Sequence, residues 1–488
     1  MRPFPLMLIA VAIPLAGACM RTKRDRPTSP PPVVLVSLDT VRADRLNCYG
    51  YSARRVTPNL DALARDGVLF ENHISAAPWT PPAHASLLTS LWPSTHGVTD
   101  SFRAYKAIRR GGTFHRLASS WTTLAEVLRS AGYETGAFTG GMTLDARLGF
   151  NQGFETFRET MFKLNPQNVD EMLSWIAARR GRPFFLFWHT FEAHAPYLGT
   201  RFLADVLPPE EAAGLAAAAQ RYAQKLDEGE WGPSLFPRIL KRRQVYRRDV
   251  TEALYVGSIA EADRWVGVLL AALKREGLYH RMLVVVTSDH GEEFADRSPD
   301  VFYDAHGHNL HREMVRVPLI VKLPSERAAG TRVGAVTRAV DVMPTVLDVL
   351  SLPGPVQMQG LSLRAVWEGR ERAPRSAFVE ALGGLNEQKS IRTRQLAFVL
   401  GIGPESVERR GRAYVPDVPR FRSLFDLRRD PDEQRDLLAG TPTEADRRTA
   451  EELERALRAH LAGQGGARET IEFDAERLER LRALGYVR

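Results

Sequence analysis

Val33-Val34-Leu35-Val36-Ser37-Leu38-Asp39-Thr40 opens with a nearly unbroken run of apolar and β-branched side chains and then meets an aspartate. A strand with one wet face would alternate, so this run suits a strand buried on both faces of a parallel sheet. Phe184 to Trp188, Leu283 to Thr287 and Pro318 to Leu323 have the same character. Helical stretches lie between them, at Thr57 to Asp66, Trp121 to Ala131 and Thr251 to Glu276. Strands alternating with helices predict an α/β fold, its sheet sandwiched by helices. The stretch from about Leu203 to Arg248, rich in alanine, glutamate and arginine, reads as a mostly helical insertion. Beyond Ser351 strand-like pieces (Ser376 to Glu380, Leu396 to Leu400) precede a charged helix from about Pro442 to Ala462. These divide the chain into a main domain, 33–370, and a smaller C-terminal α+β subdomain, 371–488. No internal repeat is present.

The 488 residues are 44% hydrophobic and 25% charged, which excludes disordered and fibrous classes. The net charge of +8 is mostly scattered arginine, suited to anionic substrates or membrane headgroups. No nucleic-acid-binding module occurs, so nucleic acid is not an expected partner. The two cysteines, Cys19 and Cys48, cannot form a disulfide framework. Residues 1–19 have the layout of a signal peptide, an apolar run after Arg2 ending in Leu15-Ala16-Gly17-Ala18-Cys19. That ending resembles a bacterial lipobox, with Ala16 where leucine is usual, and implies lipidation at Cys19. The expectation is an exported protein, periplasmic or membrane-anchored through lipid; an uncleaved N-terminal anchor is the alternative. Residues 20–32, basic and then proline-rich, read as a linker.

In open α/β sheets ligands bind outside the carboxyl ends of the strands. There the first strand runs into Asp39-Thr40, and the strand at 283–287 runs into Ser288-Asp289-His290-Gly291-Glu292. Two carboxylates and an imidazole thus reach one rim from distant parts of the chain, as a metal would require. Either aspartate alone reads equally well as a helix cap. A third segment, Ala76-Ala77-Pro78-Trp79-Thr80-Pro81-Pro82-Ala83-His84, is a proline-rich turn entering a helix. A hydroxyl near a helix N-terminus, flanked by backbone N–H groups, suits attack on a tetrahedral anion.

At this segment the chain resembles the sulfatase family of the alkaline phosphatase superfamily, in which a cysteine or serine precedes a variable residue, proline, a small residue and arginine. Thr80, Pro82, Ala83, His84 and Leu87-Leu88-Thr89 occupy the corresponding places. The resemblance continues in family order through Leu38-Asp39-Thr40-Val41-Arg42-Ala43-Asp44, Cys48-Tyr49-Gly50, Thr57-Pro58-Asn59-Leu60-Asp61, His194-Ala195-Pro196-Tyr197, His306-Gly307, Val317-Pro318-Leu319 and Leu424-Phe425-Asp426-Leu427. It implies an alkaline-phosphatase-like, mixed but mostly parallel sheet and metal-dependent cleavage of anionic sulfate or phosphate esters.

Two departures bear on mechanism. Threonine at position 80 escapes the oxidation that turns cysteine or serine into formylglycine, so no formylglycine is expected. His84 replaces the family arginine. Superfamily branches that attack phosphorus use an unmodified threonine, and on that analogy Thr80 is the nucleophile. Asp39, Asp289, His290 and Thr80 would hold one divalent metal ion, with Ca²⁺, Mg²⁺ or Mn²⁺ suggested by the oxygen donors and Zn²⁺ left open by the histidine. His194 is the candidate proton donor to the leaving group; a loop histidine that only orders the following turn is the competing reading. His306 and His308 would contact the anionic group or help the leaving group, and His311 is read as structural. A second metal would have to draw on Glu192, His194, His306 and His308, whose spacing does not match the expected pattern. Lys322 reads as a surface or sheet-edge residue. Two other functions remain open: a transferase of phospho-headgroups onto envelope acceptors, and a non-catalytic binding protein. Specificity is expected in the loops after Thr99 and in the 203–248 insertion.

Overall fold

The computed structural model describes residues 30–100, 113–141, 143–160, 163–164, 166–227, 247–294, 296–297, 306–371, 373–381, 387–402, 407–409, 412–414, 420–466 and 468–472. The signal-like segment, Cys19, most of the linker, residues 101–112 and residues 228–246 lie outside the described residues.

The strands are β1 (Val33–Leu38), β2 (Val68–Ile74), β3 (Thr113–Arg116), β4 (Glu134–Gly140), β5 (Thr156–Thr160), β6 (Phe184–Thr190), β7 (Leu283–Thr287), β8 (Arg316–Val317), β9 (Leu319–Lys322), β10 (Thr331–Arg338), β11 (Ala377–Ala381), β12 (Gln388–Arg392), β13 (Leu396–Gly401), β14 (Val407–Arg409), β15 (Arg412–Tyr414), β16 (Phe421–Asp426) and β17 (Glu469–Glu472). The main sheet runs β10-β2-β9-β7-β1-β6-β4-β5, with β8 on β2. β1 lies at its centre, parallel to β6 on one side and β7 on the other, and all six of its residues are buried. Its even-numbered side chains join the core beneath the helix Arg248–Arg275, and Val33 and Leu35 join the core on the opposite face. Each such side chain contributes about 1.5–3 kcal/mol by leaving water, which is why the strand tolerates no polar face.

The sheet is mixed. β9 runs antiparallel to both β7 and β2, so the Pro318 to Leu323 run is a buried strand of the opposite direction; an apolar run specifies burial, not direction. Among the strands that the sequence pattern did not announce, β2, β4, β5, β10 and β12 carry polar residues or glycine among their apolar ones. Lys322 is fully buried, contrary to expectation. Its ammonium donates to the Tyr279 and His280 carbonyls and lies 4.5 Å over the Tyr279 ring. A buried cation so enclosed ties β9 to the turn before β7.

The helix α1 (Pro58–Asp66) follows Thr57 as the sequence suggests, but its first N–H groups are satisfied from elsewhere. Asp263 of the Arg248–Arg275 helix accepts from Asn59 N at 3.1 Å and Leu60 N at 2.8 Å. C-terminally, β11-β12-β13-β16 form an antiparallel sheet against the helix Glu444–Ala462, whose start is a capping box of Thr443 with Asp446. β17 pairs back to β3. Among the described residues no helix is long and apolar enough to cross a membrane.

Two helical glycines have opposite environments. A Cβ on Gly257 would stand 2.1 Å from the Gly199 carbonyl oxygen, whereas Gly214 faces open space. Alanine is the better helix former by about 1 kcal/mol, so Gly214→Ala should raise the melting temperature measured by calorimetry. Gly257→Ala should lower it despite the same propensity gain.

Candidate active site

Parallel pairing sets Ser37 of β1 opposite His189 of β6 and Thr287 of β7. In-register neighbours, and residues two apart, share a face of a sheet. The face that carries Val33, Leu35, Phe185, Phe187, Leu283 and Val285 in one apolar cluster therefore ends, at the carboxyl rim, in Ser37 and His189. Asp39 and Asp289 follow two residues beyond Ser37 and Thr287. Neither aspartate caps a helix. Asp289 Oδ1 accepts from the backbone N–H of His290 at 2.8 Å and of Thr40 at 3.2 Å. Thr40 is held at φ 60°, a left-handed conformation that costs a β-branched residue energy. Tyr255 clamps it there, donating to the Thr40 carbonyl at 2.7 Å and accepting from Arg42 N at 3.0 Å.

The helix α2 (Thr80–Thr89) brings the hydroxyl. Thr80 Oγ1 lies 3.3 Å from His290 Nε2, and Nε2 in turn lies 3.4 Å from Asp289 Oδ2 and 3.7 Å from Asp39 Oδ1. The expectation that backbone N–H groups flank Thr80 fails: Pro81 and Pro82 have none, and Ala83 N–H is bonded to the Trp79 carbonyl. The prolines suit a first helical turn, where an N–H needs no partner, but α2 offers the hydroxyl its dipole and no donors at these three positions. His84, one turn along, has its Nδ1 2.9 Å from the Thr80 carbonyl and 3.5 Å from Asp289 Oδ2, and its Nε2 2.9 Å from Ser37 Oγ.

A divalent cation fits this donor set. Asp39 Oδ1 and Asp289 Oδ2 are buried without a hydrogen-bond partner, an expensive state for carboxylate oxygens unless a positive charge is shared between them. His290 Nδ1 donates to the Gly291 carbonyl at 2.9 Å, which leaves Nε2 as a lone pair toward the same point. Asp39, Asp289 and His290 group as one ligand set. Burial and then the charge of Asp289 push the Asp39 carboxyl well above its usual range. Burial acts upward on Asp289 as well, but His290, His84 and His189 outweigh it and hold that carboxyl below its usual range.

The other expected residues divide. His306 Nδ1 meets Glu292 Oε1 at 3.0 Å, and Tyr197 donates to Glu292 Oε2 at 2.8 Å, so the His-x-Pro-Tyr and Ser-Asp-His-Gly-Glu segments meet at one carboxylate. The His306 ring centroid lies 4.8 Å from that of His290 and 5.0 Å from that of His194. His194 stacks on Phe191, and burial pushes its pKa well below the ordinary histidine value. His308 is not brought into the cluster: its Nε2 meets Glu293 Oε2 at 2.9 Å. Glu192 turns away to accept from Leu164 N, while the Lys163 ammonium donates to the carbonyls of Phe191, Glu192 and His194. His311 is structural as expected, on Glu433 and against Phe425.

A model of the sulfatase family matches residues 31–352. The chain belongs to the sulfatase family. It is 30% identical to the steryl-sulfatase of Mus musculus over 94% of this chain and 87% of that protein. Among solved structures, one in complex with its substrate D-glucosamine-2-N,6-O-disulfate aligns with a TM-score of 0.65 at 18% identity, covering 89% of this chain and 98% of the other. The phosphonate monoester hydrolase of Agrobacterium radiobacter aligns with a TM-score of 0.62 at 22% identity, covering 88% and 96%.

Within this sulfatase-family site, His189, Ser37, Glu292 and Lys163 had no assigned role from the sequence. Strand parity was the available signal for His189, since it shares the face of Phe185 and Phe187. Glu292 stood in the motif without a partner to reveal its use, and nothing local marks Lys163. With no metal added, the folded state holds the Asp39 proton more tightly than the unfolded chain does. The contribution of Asp39 to stability should therefore fall as pH rises above about 4, the unfolded carboxyl range. Asp39→Asn removes that charge, so in chelator at neutral pH the variant should melt about 2 °C higher than wild type. It should also lose most of the rise in melting temperature that divalent ions give the wild type.

Proposed function

We propose that the protein is a sulfatase-family hydrolase in which unmodified Thr80 attacks the central atom of a phosphate, phosphonate or sulfate ester. The observation that carries this reading is the place of the Thr80 hydroxyl: 3.3 Å from His290 Nε2 and beside two carboxylate oxygens that lack partners. Asp39, Asp289, His290 and Thr80 Oγ1 would hold the divalent cation, which when bound lowers the pKa of the hydroxyl and neutralises charge on the ester.

The chain's own groups supply the remainder. The Thr40 turn fixes Asp289 through its N–H, and His290 Nε2 lies between that carboxylate and the Thr80 hydroxyl. Thr80 attacks as the alkoxide, its proton given up to solvent; as the bond from its Oγ to phosphorus or sulfur forms, the bond to the leaving oxygen breaks, and that oxygen takes a proton from an imidazole. His306 is the better donor of the adjacent pair, because Glu292 Oε1 holds its Nδ1 and fixes the ring beside His290, whereas burial disfavours a proton on His194. His194, whose loop is fixed by Lys163, then orients the anionic group. Water attacks the Thr80 ester in the second half-reaction, with His306 as its base, and restores the hydroxyl.

Threonine at this position favours phosphorus esters over sulfate, and the fold shared with the phosphonate monoester hydrolase is in keeping with that preference. The steryl-sulfatase relative and the neighbour bound to a disulfated glucosamine keep sulfate esters in range. The apolar segment ending at Cys19 supports export and a lipid anchor. A purely binding role would leave the ligand set and the His306–Glu292 pair without purpose.

The test is turnover of nitrophenyl phosphate, phosphodiester, phosphonate and sulfate with Mg²⁺, Ca²⁺, Mn²⁺ or Zn²⁺. At least one phosphorus ester should be hydrolysed, with kcat reduced about 10³-fold or more in Thr80→Ala and largely retained in Thr80→Ser. Turnover that survives Thr80→Ala would contradict the assignment. Turnover of sulfate alone would make the protein a sulfatase in the literal sense.

A further inference from the structure

A second concave site lies at the joint between the main sheet and the C-terminal sheet, and none of the residues around Thr80 lines it. Ile74 of β2, Arg316 of β8 and Val336 of β10 come from the main sheet, and Arg392 of β12, Arg394 and Glu433 from the C-terminal subdomain, around a cavity of about 340 Å³. Ile74 and Val336 belong to the apolar cluster that joins the two sheets, so part of the lining is anchored in the core.

The charge of this cavity does not balance. Four guanidinium groups line it, those of Arg312, Arg316, Arg392 and Arg394, against one carboxylate, Glu433. Glu433 is shared between Arg392 and His311, and Arg312 has the exposed Asp432. The other nearby acids bring cations of their own. Glu313 takes two N–H groups of Arg297 at 2.7 and 2.8 Å, and the Glu71 carboxylate is held by Arg332 at 2.9 Å. Arg316 meets only an uncharged acceptor, the Glu71 carbonyl, at 3.0 Å. Arg394, exposed at the edge, makes no hydrogen bond or ion pair among the described residues. With Asp432 and Glu433 set against the four guanidinium groups, two positive charges are left over.

The surplus is not on the open surface alone. Arg392 is 3% exposed, yet of the five N–H groups of a guanidinium it uses two, on the Leu310 carbonyl and on Glu433. Burial lowers the pKa of Arg392 and of Arg316, and the charge of Arg312 acts in the same direction on both. Enclosed cations with donors to spare and too few counter-charges are costly to keep.

We propose that this cavity binds a phosphate or sulfate group, separately from the hydrolytic centre, between the guanidinium groups of Arg316, Arg392 and Arg394. A doubly charged oxyanion cancels the surplus of two. The lining cations among the described residues are all arginine, whose planar fork matches two oxygens of such a group, where lysine would offer only a point charge. The volume is that of a small-ligand cleft, with room for a free oxyanion or for the same group carried on a sugar-sized molecule.

The full-length protein, stripped of divalent cations with chelator and desalted, should bind inorganic phosphate or sulfate at one site per chain by titration calorimetry. Thr80→Ala should bind equally well, which separates this site from the nucleophile. Arg394→Ala, at an exposed position, should bind about tenfold more weakly, and Arg316→Ala at least as much. Crystals of the wild type grown with selenate, a sulfate analogue, should show an anomalous peak among Arg316, Arg392 and Arg394, a result that needs no variant to fold. Glucose 6-phosphate tells the two sources apart: binding weakened by the same substitutions places the group on a larger molecule, and binding of the inorganic anions alone makes the ligand the free anion. No binding of any of these probes, or binding unchanged in Arg394→Ala and Arg316→Ala, would overturn the site. A selenate peak without binding in solution would mean an adventitious ion only and would overturn it as well.

Discussion

Two carboxylates that have left water and face one another across a few ångströms set the terms for the rest of this molecule. Asp39 and Asp289 are buried at the rim of the main sheet, each with an oxygen that no protein donor reaches. A pair of this kind is costly in an interior of low polarity, and a folded protein keeps it only where another charge completes it. The surroundings are built to maintain the arrangement rather than relieve it. Thr40 is forced into a left-handed turn and clamped by Tyr255, two backbone N–H groups fix Asp289 Oδ1, and three imidazoles stand around the carboxylates. Local strain and buried charge concentrated at one point are what a site for an anionic substrate and its counter-charge requires.

The sheet delivers this cluster by register. β1 must be apolar on both faces to sit between β6 and β7, and each of these strands changes character only where it emerges at the carboxyl rim. That change was legible in the sequence for β1 and β7, because Asp39 and Asp289-His290 follow their apolar runs directly. It was passed over for β6, where His189 sits inside the strand and looks like part of the run. Pairing made it visible: opposite Ser37, and two residues from Phe187, it shares the face on which the carboxylates lie. The central strands, the long helices and the separate C-terminal sheet could be read for a related reason, since long apolar or strongly periodic segments announce burial. The polar strands β5 and β10 could not, because their place in the sheet comes from backbone pairing rather than from their own pattern.

The helix-terminal setting expected for Thr80 changed in one respect. Two prolines fill the places where backbone donors were anticipated, so the partner of the hydroxyl is a side chain, His290 Nε2 at 3.3 Å. His84, in the place of a family arginine, fits the same scheme: it exchanges a permanent charge for a ring that bonds Ser37 and the Thr80 carbonyl. The His306–Glu292–Tyr197 chain joins two motifs far apart in sequence and sets the His306 ring 4.8 Å, centre to centre, from His290.

As the nucleophile, the Thr80 hydroxyl would itself become covalently bound to the substrate's phosphorus or sulfur. Rapid acid quench of the enzyme during turnover of its best nitrophenyl ester, followed by proteolysis and mass spectrometry of the Thr80 peptide, reads this directly. An unmodified threonine is expected before mixing and a phosphoryl, phosphonyl or sulfuryl group on Thr80 during turnover, absent when divalent cations are chelated. An adduct on another residue, or none during active turnover, would contradict it.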